Sequence, residues 1–176
     1  MPWRPVATRK ERLWFSDMMS VALLCVGKLK EKYWRDACAE YEKRLSAFCR
    51  FRIVEIPESR LPENPSAAQV ASALEEEGRK LLAAAGGAYL TALCIEGKEE
   101  SSEQLAAALA GLSVGGVSSL AFCVGSSYGL SPQVKAAASR RLSMSPMTFP
   151  HQLARVMLCE QIYRAFQING NGKYHK

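Results

Sequence analysis

Histidine and aspartate are nearly missing from this chain of 176 residues: His151, His175, Asp17 and Asp36 are all it has. Six cysteines (Cys25, Cys38, Cys49, Cys94, Cys123, Cys159) are scattered singly, with no CxxC pair and no Cys/His cluster. A metal centre is therefore not expected. Most of these cysteines lie in apolar runs, where a thiol behaves as a small hydrophobe, and unpaired thiols indicate a reducing, cytoplasmic setting. No apolar run approaches the roughly 18 residues of a membrane span, so no membrane segment is expected. Neither G-x-x-x-x-G-K-[ST] nor G-x-G-x-x-G occurs, which removes the usual cradles for a nucleoside triphosphate or a dinucleotide. No internal repeat is visible.

Acidic residues are scarce too, but only in one region. Residues 1–103 carry sixteen Lys/Arg against sixteen Asp/Glu, whereas 104–176 carry seven (Lys135, Arg140, Arg141, Arg155, Arg164, Lys173, Lys176) against Glu160 alone. The net charge of +6 thus belongs to the C-terminal part. A field of one sign draws polyanions, nucleic acid first among them.

What is present suits one domain with a full hydrophobic core. Residues 1–18 are read as a leader outside it, disordered or a misassigned start, because Met1–Asp17 is basic, aromatic and proline-broken, without the apolar core of a secretory signal. The domain is expected over 19–176. Val21–Val26, Phe51–Ile56, Tyr89–Ile95, Val117–Val124 and a short Arg141–Met144 read as strands. Between them, Lys28–Ala47, Ser66 to about Ala85, Ser101 to about Gly111 and Ser131–Ser139 read as helices. Pro150 opens a long last helix, with Leu153, Val156, Met157, Ile162, Tyr163 and Phe166 near a 3.6-residue period and Asn169-Gly170 as its stop. Strands alternating with helices predict an α/β fold, a parallel sheet with helices on both faces. In such sheets ligands sit beyond the carboxyl ends of the strands. Glu96–Lys98, Gly125–Leu130 and Met144–Phe149 are the loops at those ends.

Two clusters could carry chemistry. Gly125-Ser126-Ser127-Tyr128-Gly129 matches G-x-S-x-G between a strand and a helix, the setting of a hydrolase nucleophile. Its triad would need Glu160, which stands four residues before Arg164 in an ordinary helical ion-pair spacing, and His175, one residue from the end. A glycine-flanked loop that approaches a ligand backbone-first explains the same residues more simply. The second cluster is the basic, aromatic C-terminus: Arg155, Arg164, Lys173, Tyr174, His175 and Lys176. Arginine forks phosphates, and tyrosine and histidine stack on unpaired bases.

Val21–Tyr33 (VALLCVGKLKEKY), Leu93–Lys98 (LCIEGK), Val124–Leu130 (VGSSYGL), Met147–Gln152 (MTFPHQ), Arg155, Glu160–Phe166 (EQIYRAF) and the terminal Tyr174–Lys176 (YHK) resemble the RlmH family of bacterial SPOUT-class ribosomal RNA methyltransferases. The resemblance runs from Met19 to Lys176. It implies a SPOUT-type fold with a C-terminal trefoil knot, a homodimer, and transfer of a methyl group from S-adenosylmethionine to N3 of a pseudouridine in 23S rRNA on the assembled ribosome. It implies cofactor contacts from Leu93, Gly125, Ser126, Met144, Ser145, Pro146, Met147, Thr148 and Phe149. Arg155, Arg164, Tyr174 and His175 are expected on the RNA side, with large-subunit rRNA as the partner. The family commonly has Gly-Gly where this chain has Gly125-Ser126. Candidate acceptors for the N3 proton are His151, His175 and solvent. Other readings are a SPOUT methyltransferase acting on another RNA such as tRNA, and a non-catalytic ribosome-binding protein.

Overall fold

Six of the seven residues of strand β1 (Ser20–Val26) are buried, the mark of a central parallel strand covered on both faces. The computed structural model describes residues 19–174. The expectations for the leader 1–18 and for His175 lie outside the described residues. After β1 come α1 (Lys32–Leu45), β2 (Arg50–Ile56), α2 (Ala67–Ala85), β3 (Tyr89–Glu99) and α3 (Ser102–Val114). Then follow β4 (Ser119–Val124), α4 (Pro132–Ala137), β5 (Arg140–Ser143) and α5 (His151–Asn169). The strands pair in the order β2-β1-β4-β3-β5, and every pairing is parallel. The strand formed fourth is thus inserted between the first and the third.

Period-two alternation sends the strands' side chains to two separate cores. Val21, Leu23 and Cys25 of β1, with Leu120, Phe122 and Val124 of β4, pack against Cys38 and Leu45 of α1, Leu105 and Leu109 of α3, and α5. Ala22, Leu24, Val26, Ala121 and Cys123 face the other way, onto Leu81 of α2 and Val134 of α4. The sheet therefore has helices on both faces, as expected. Each fully buried Leu, Ile or Phe contributes about 1.5–3 kcal/mol. Serine caps start three of the helices: Ser66 with Gln69 and Ser101 with Gln104 form capping boxes, and Ser131 accepts from the Val134 N–H ahead of Pro132. The cysteines are all free, and burial pushes the thiols of Cys25, Cys49 and Cys123 up to about 12, which leaves them inert hydrophobes.

The structure departs from the sequence reading in four places. Helix α1 begins at Lys32, not Lys28; Gly27 turns at a φ of 88°, and Lys28–Glu31 forms a loop before the helix. Strand β3 does not stop at Ile95. It pairs Leu93 with Leu142, bulges over the next four residues, and resumes with Lys98 against the same Leu142. Gly97 permits this, since a Cβ there would sit 2.6 Å from the Leu142 carbonyl carbon. In α5 the buried stripe is Ala154, Arg155, Leu158, Cys159, Ile162, Ala165 and Phe166, while Leu153, Val156, Met157 and Tyr163 are half-buried.

Arg155 is the chief correction. Expected on the RNA side, it is an interior residue with 1% of its surface exposed. Its Nη1 donates to Glu55 Oε1 at 2.8 Å and its Nη2 to the Gly27 carbonyl at 2.9 Å. The same Glu55 oxygen accepts from the Leu29 N–H at 3.1 Å. A buried guanidinium is tolerated only where carboxylate and carbonyl partners replace its water. Here those partners join α5 to the ends of β1 and β2. Removing the arginine strands Glu55 and the Gly27 carbonyl, so Arg155→Ala should lose about 3 kcal/mol of stability in urea melts; a loss below about 1 kcal/mol would show that the tie is dispensable.

Candidate functional site

The carboxyl ends of β3, β4 and β5 open on one cleft of about 310 Å³, within the size range of small-molecule sites. The bulge of β3 supplies Leu93, Cys94, Ile95 and Glu96 as one wall. The β4–α4 loop supplies Gly125–Leu130, and the β5–α5 loop supplies Met144, Ser145, Met147, Thr148 and Phe149. His151 and Ala154 of α5 close the floor. The three loops expected from the sequence therefore meet. Of the nine cofactor candidates, eight line this cleft; Pro146 is the exception. Glu96, Ser127 and Tyr128, from the loops marked in the sequence, line it too, and so do Cys94, Ile95 and Lys135, which were not expected at a site. Lys135 and Glu96 form an ion pair of 2.5 Å at its edge, which holds the Glu96 carboxyl below its usual range.

The β4–α4 loop is shaped by backbone crowding. A Cβ at Gly125 would lie 2.2 Å from the Gly129 carbonyl oxygen, so only glycine fits. Gly129 takes a φ of 84° and its N–H donates to the Ser126 carbonyl at 2.9 Å, closing a tight turn. Ser126 is buried, and its hydroxyl lies beside Glu77 of α2. Burial raises the Glu77 carboxyl, while the Ser59 N–H and the Ser126 hydroxyl pull it back down. A side chain at position 126 thus has a neighbour behind the loop instead of only the space of the cleft. The β5–α5 loop is held by Ser143 and Ser145: the Ser143 hydroxyl donates to the Ser145 carbonyl at 3.1 Å, and the Met147 N–H to Ser145 Oγ at 3.0 Å. It leaves the Met147 side chain 72% exposed at the mouth.

His151, the first residue of α5, is half-buried in the cleft wall. Burial lowers its pKa; Glu58 raises it and Arg155 lowers it further. It is therefore neutral at pH 7 and able to accept a proton. The folded pKa lies below the unfolded one, so its share of stability is present above the ordinary value of 6.5 and lost as pH falls toward the folded value.

Two of the other expected RNA residues, Arg164 and Tyr174, meet at the far end of α5. Arg164 donates to Glu160 Oε1 through Nε and Nη2, at 2.9 and 2.6 Å. Its guanidinium lies 4.7 Å over the Tyr174 ring, and the Tyr174 hydroxyl donates to Glu160 Oε2 at 3.0 Å. Tyr163 meets Tyr174 edge-on at 5.0 Å. Both oxygens of Glu160 are thereby occupied, which removes it as the acid of a serine hydrolase triad. His151 and Arg164 are thirteen residues apart on this helix, about 20 Å along its axis, so the cleft and this cluster do not meet within one chain.

The architecture, a parallel sheet whose last three strand ends surround a cleft, is matched elsewhere. A family model described as "Predicted SPOUT methyltransferase" covers residues 19–175. The chain belongs to the SPOUT methyltransferase family. Within it, the chain is 49% identical over 159 residues to ribosomal RNA large subunit methyltransferase H of Bifidobacterium animalis subsp. lactis. It is 46% identical to the protein of that name from Exiguobacterium sibiricum; each match spans 90% of this chain and 100% of the relative. Among solved structures, a "probable methyltransferase" of Bordetella pertussis aligns with 88% of this chain and 99% of its own, at 18% identity and a TM-score of 0.55, and so shares the fold.

Two outcomes follow. Gly125→Ala should cost about 1–3 kcal/mol, as overpacking does, because the 125–129 turn must open; unchanged stability in thermal melts would contradict the crowding. The His151 ring, followed by NMR, should titrate with a midpoint below 6.5. A higher midpoint would mean that solvent or Glu58 outweighs burial.

Proposed function

We propose that this protein is a S-adenosylmethionine-dependent methyltransferase that methylates N3 of a pseudouridine in 23S rRNA, acting on the assembled ribosome in the cytoplasm. The observation that carries the reading is the convergence of Leu93, Gly125, Ser126, Met144, Ser145, Met147, Thr148 and Phe149 on one cleft, in a chain nearly half identical to large-subunit rRNA methyltransferases along their whole length. The cleft suits such a cofactor. Its crowded turn at Gly125 offers main-chain atoms to a polar ligand, while Leu93, Leu130 and Met144 offer apolar surface.

Bound S-adenosylmethionine supplies a methyl group already activated on a sulfonium. The chain's own task is positioning and exclusion of water, worth up to about 7–11 kcal/mol in favourable cases. Neutral His151, in the same cleft, is available to take the proton that N3 loses. The wall of β3 and the loops of β4 and β5 shield the reacting atoms.

The protein acts as a homodimer in this reading, with residues 19–176 as one domain, 1–18 as a leader outside it, and the C-terminal part in a trefoil knot. The separation of about 20 Å along α5 supports the dimer, since one copy's Arg164–Tyr174 cluster can serve another copy's cleft. Val156 and Met157, on the outward side of α5, line a second cleft of about 410 Å³ that a partner copy could cover.

Two measurements test the reading together. Calorimetry should show one S-adenosylhomocysteine per chain. Mass mapping of methyl groups should show one mark on a 23S pseudouridine that vanishes when the gene is deleted. A mark lost from tRNA would keep the enzyme but change its substrate; no nucleoside binding at all would favour a non-catalytic ribosome-binding protein.

A further inference from the structure

Arg155 does more than join three elements: it fixes the backbone of the β1–α1 loop. Its Nη2 holds the Gly27 carbonyl, and through Glu55 it holds the Leu29 N–H. From the other side, Arg35 Nη1 donates to the Lys30 carbonyl at 2.8 Å and the Leu29 carbonyl at 3.4 Å. Two arginines and a glutamate thus set the shape of a short loop whose side chains mostly face solvent. Leu29 alone of Lys28–Lys32 is buried.

What that loop and the first turn of α1 display is a basic and aromatic surface. Lys28, Lys30 and Lys32 are exposed, and Tyr33 is 62% exposed with its ring 4.9 Å from Trp34, which packs against the core. The nearby acids are largely engaged. Glu55 is paired with Arg155, and Asp36 with Lys32 at 2.6 Å. Glu31 is exposed, and Glu58 approaches Gly27. Neither Lys28 nor Lys30 has an ion pair among the described residues. The loop also stands next to the cleft. β1 pairs with β4, Cys25 opposite Val124, and Val124 and Gly125 line the cleft. One strand spacing, about 5 Å, separates the two strand ends. Along α5, Arg155 is one turn from His151.

The geometry points to this loop as a second RNA contact of the enzyme, beside the cleft and distinct from the C-terminal cluster: Lys28 and Lys30 bind backbone phosphates, and Tyr33 stacks on an unpaired base. The inference rests on the rRNA methyltransferase reading. Phosphate neutralisation by lysine makes binding salt-dependent, and an aromatic face accepts any base. A loop whose backbone is already fixed loses little entropy on binding, which is the use a rigid internal brace would have.

The test uses the full-length protein, with binding to ribosomes measured across a salt series. Lys28→Glu with Lys30→Glu should weaken ribosome binding at least tenfold and make the plot of log K against log salt shallower by about one per lysine. Tyr33→Ala should weaken it about fivefold or more. S-adenosylhomocysteine affinity and melting temperature should stay at wild-type values, because these side chains lie outside the cleft and are exposed. Wild-type ribosome affinity and salt slope in the variants would overturn the inference. So would a change in sedimentation instead, since it would make the loop a contact between copies. A wild-type protein that transfers no methyl group to rRNA would overturn the underlying reading, a result separate from any of these.

Discussion

A single buried positive charge organises the cleft end of this molecule. The Arg155 guanidinium reaches from the first turns of α5 to the carboxyl ends of β1 and β2, and its partners, the Gly27 carbonyl and Glu55, come from those two strand ends. A charge so placed is stable only while each partner keeps its position. Hydrophobic packing of α5 through Leu158, Ile162 and Phe166 would by itself allow the helix some sliding along the sheet. The directional bonds of Arg155 do not, and so they fix where His151 and the β5–α5 loop enter the cleft.

Beyond that tie, the cleft is shaped by main chain more than by side chains. The bulge in β3 is possible because Gly97 lets the Leu142 backbone come close, and the β4–α4 turn because Gly125 admits the Gly129 carbonyl. A sulfonium donor needs little from the protein except a fitted pocket with water kept out. Rigid backbone walls, with serine hydroxyls securing the third loop, suit that requirement. Ser126 fits the scheme because it is buried in the loop, on the side of Glu77.

Much of the fold could be read from residue pattern alone. Val21–Val26 and Leu120–Val124 are apolar runs too short for helices, and the serine caps and glycine stops mark the helices between them. The order of strands was not readable, because pattern gives each element's type but not its neighbour. In α5 two apolar stripes share one helix, and period alone could not choose between Val156–Met157–Tyr163 and Leu158–Cys159–Ile162. A sharper sign was there: Arg155 stands three and four residues before Leu158 and Cys159, on the stripe that turned out to be buried. A charge in that position marks a partner across the core, but the partner, Glu55, is a hundred residues away and no local pattern names it. The bulge of β3 was hidden for a similar reason, since Gly97 reads as a strand end until the strand beside it is known.

The insertion of β4 between β1 and β3 also bears on how the polypeptide is made. During synthesis β1 and β3 are complete while the residues that join them are still to come, so the nascent chain carries two open edges side by side. Unpaired parallel edges are liable to capture by other chains, and distant pairings form slowly. The sheet can close only after Ser119–Val124 has left the synthesis machinery, and α5 can lock only later still. The sheet is thus completed only after its two flanking strands have waited for β4, and the helix that bears Arg155 docks after that closure.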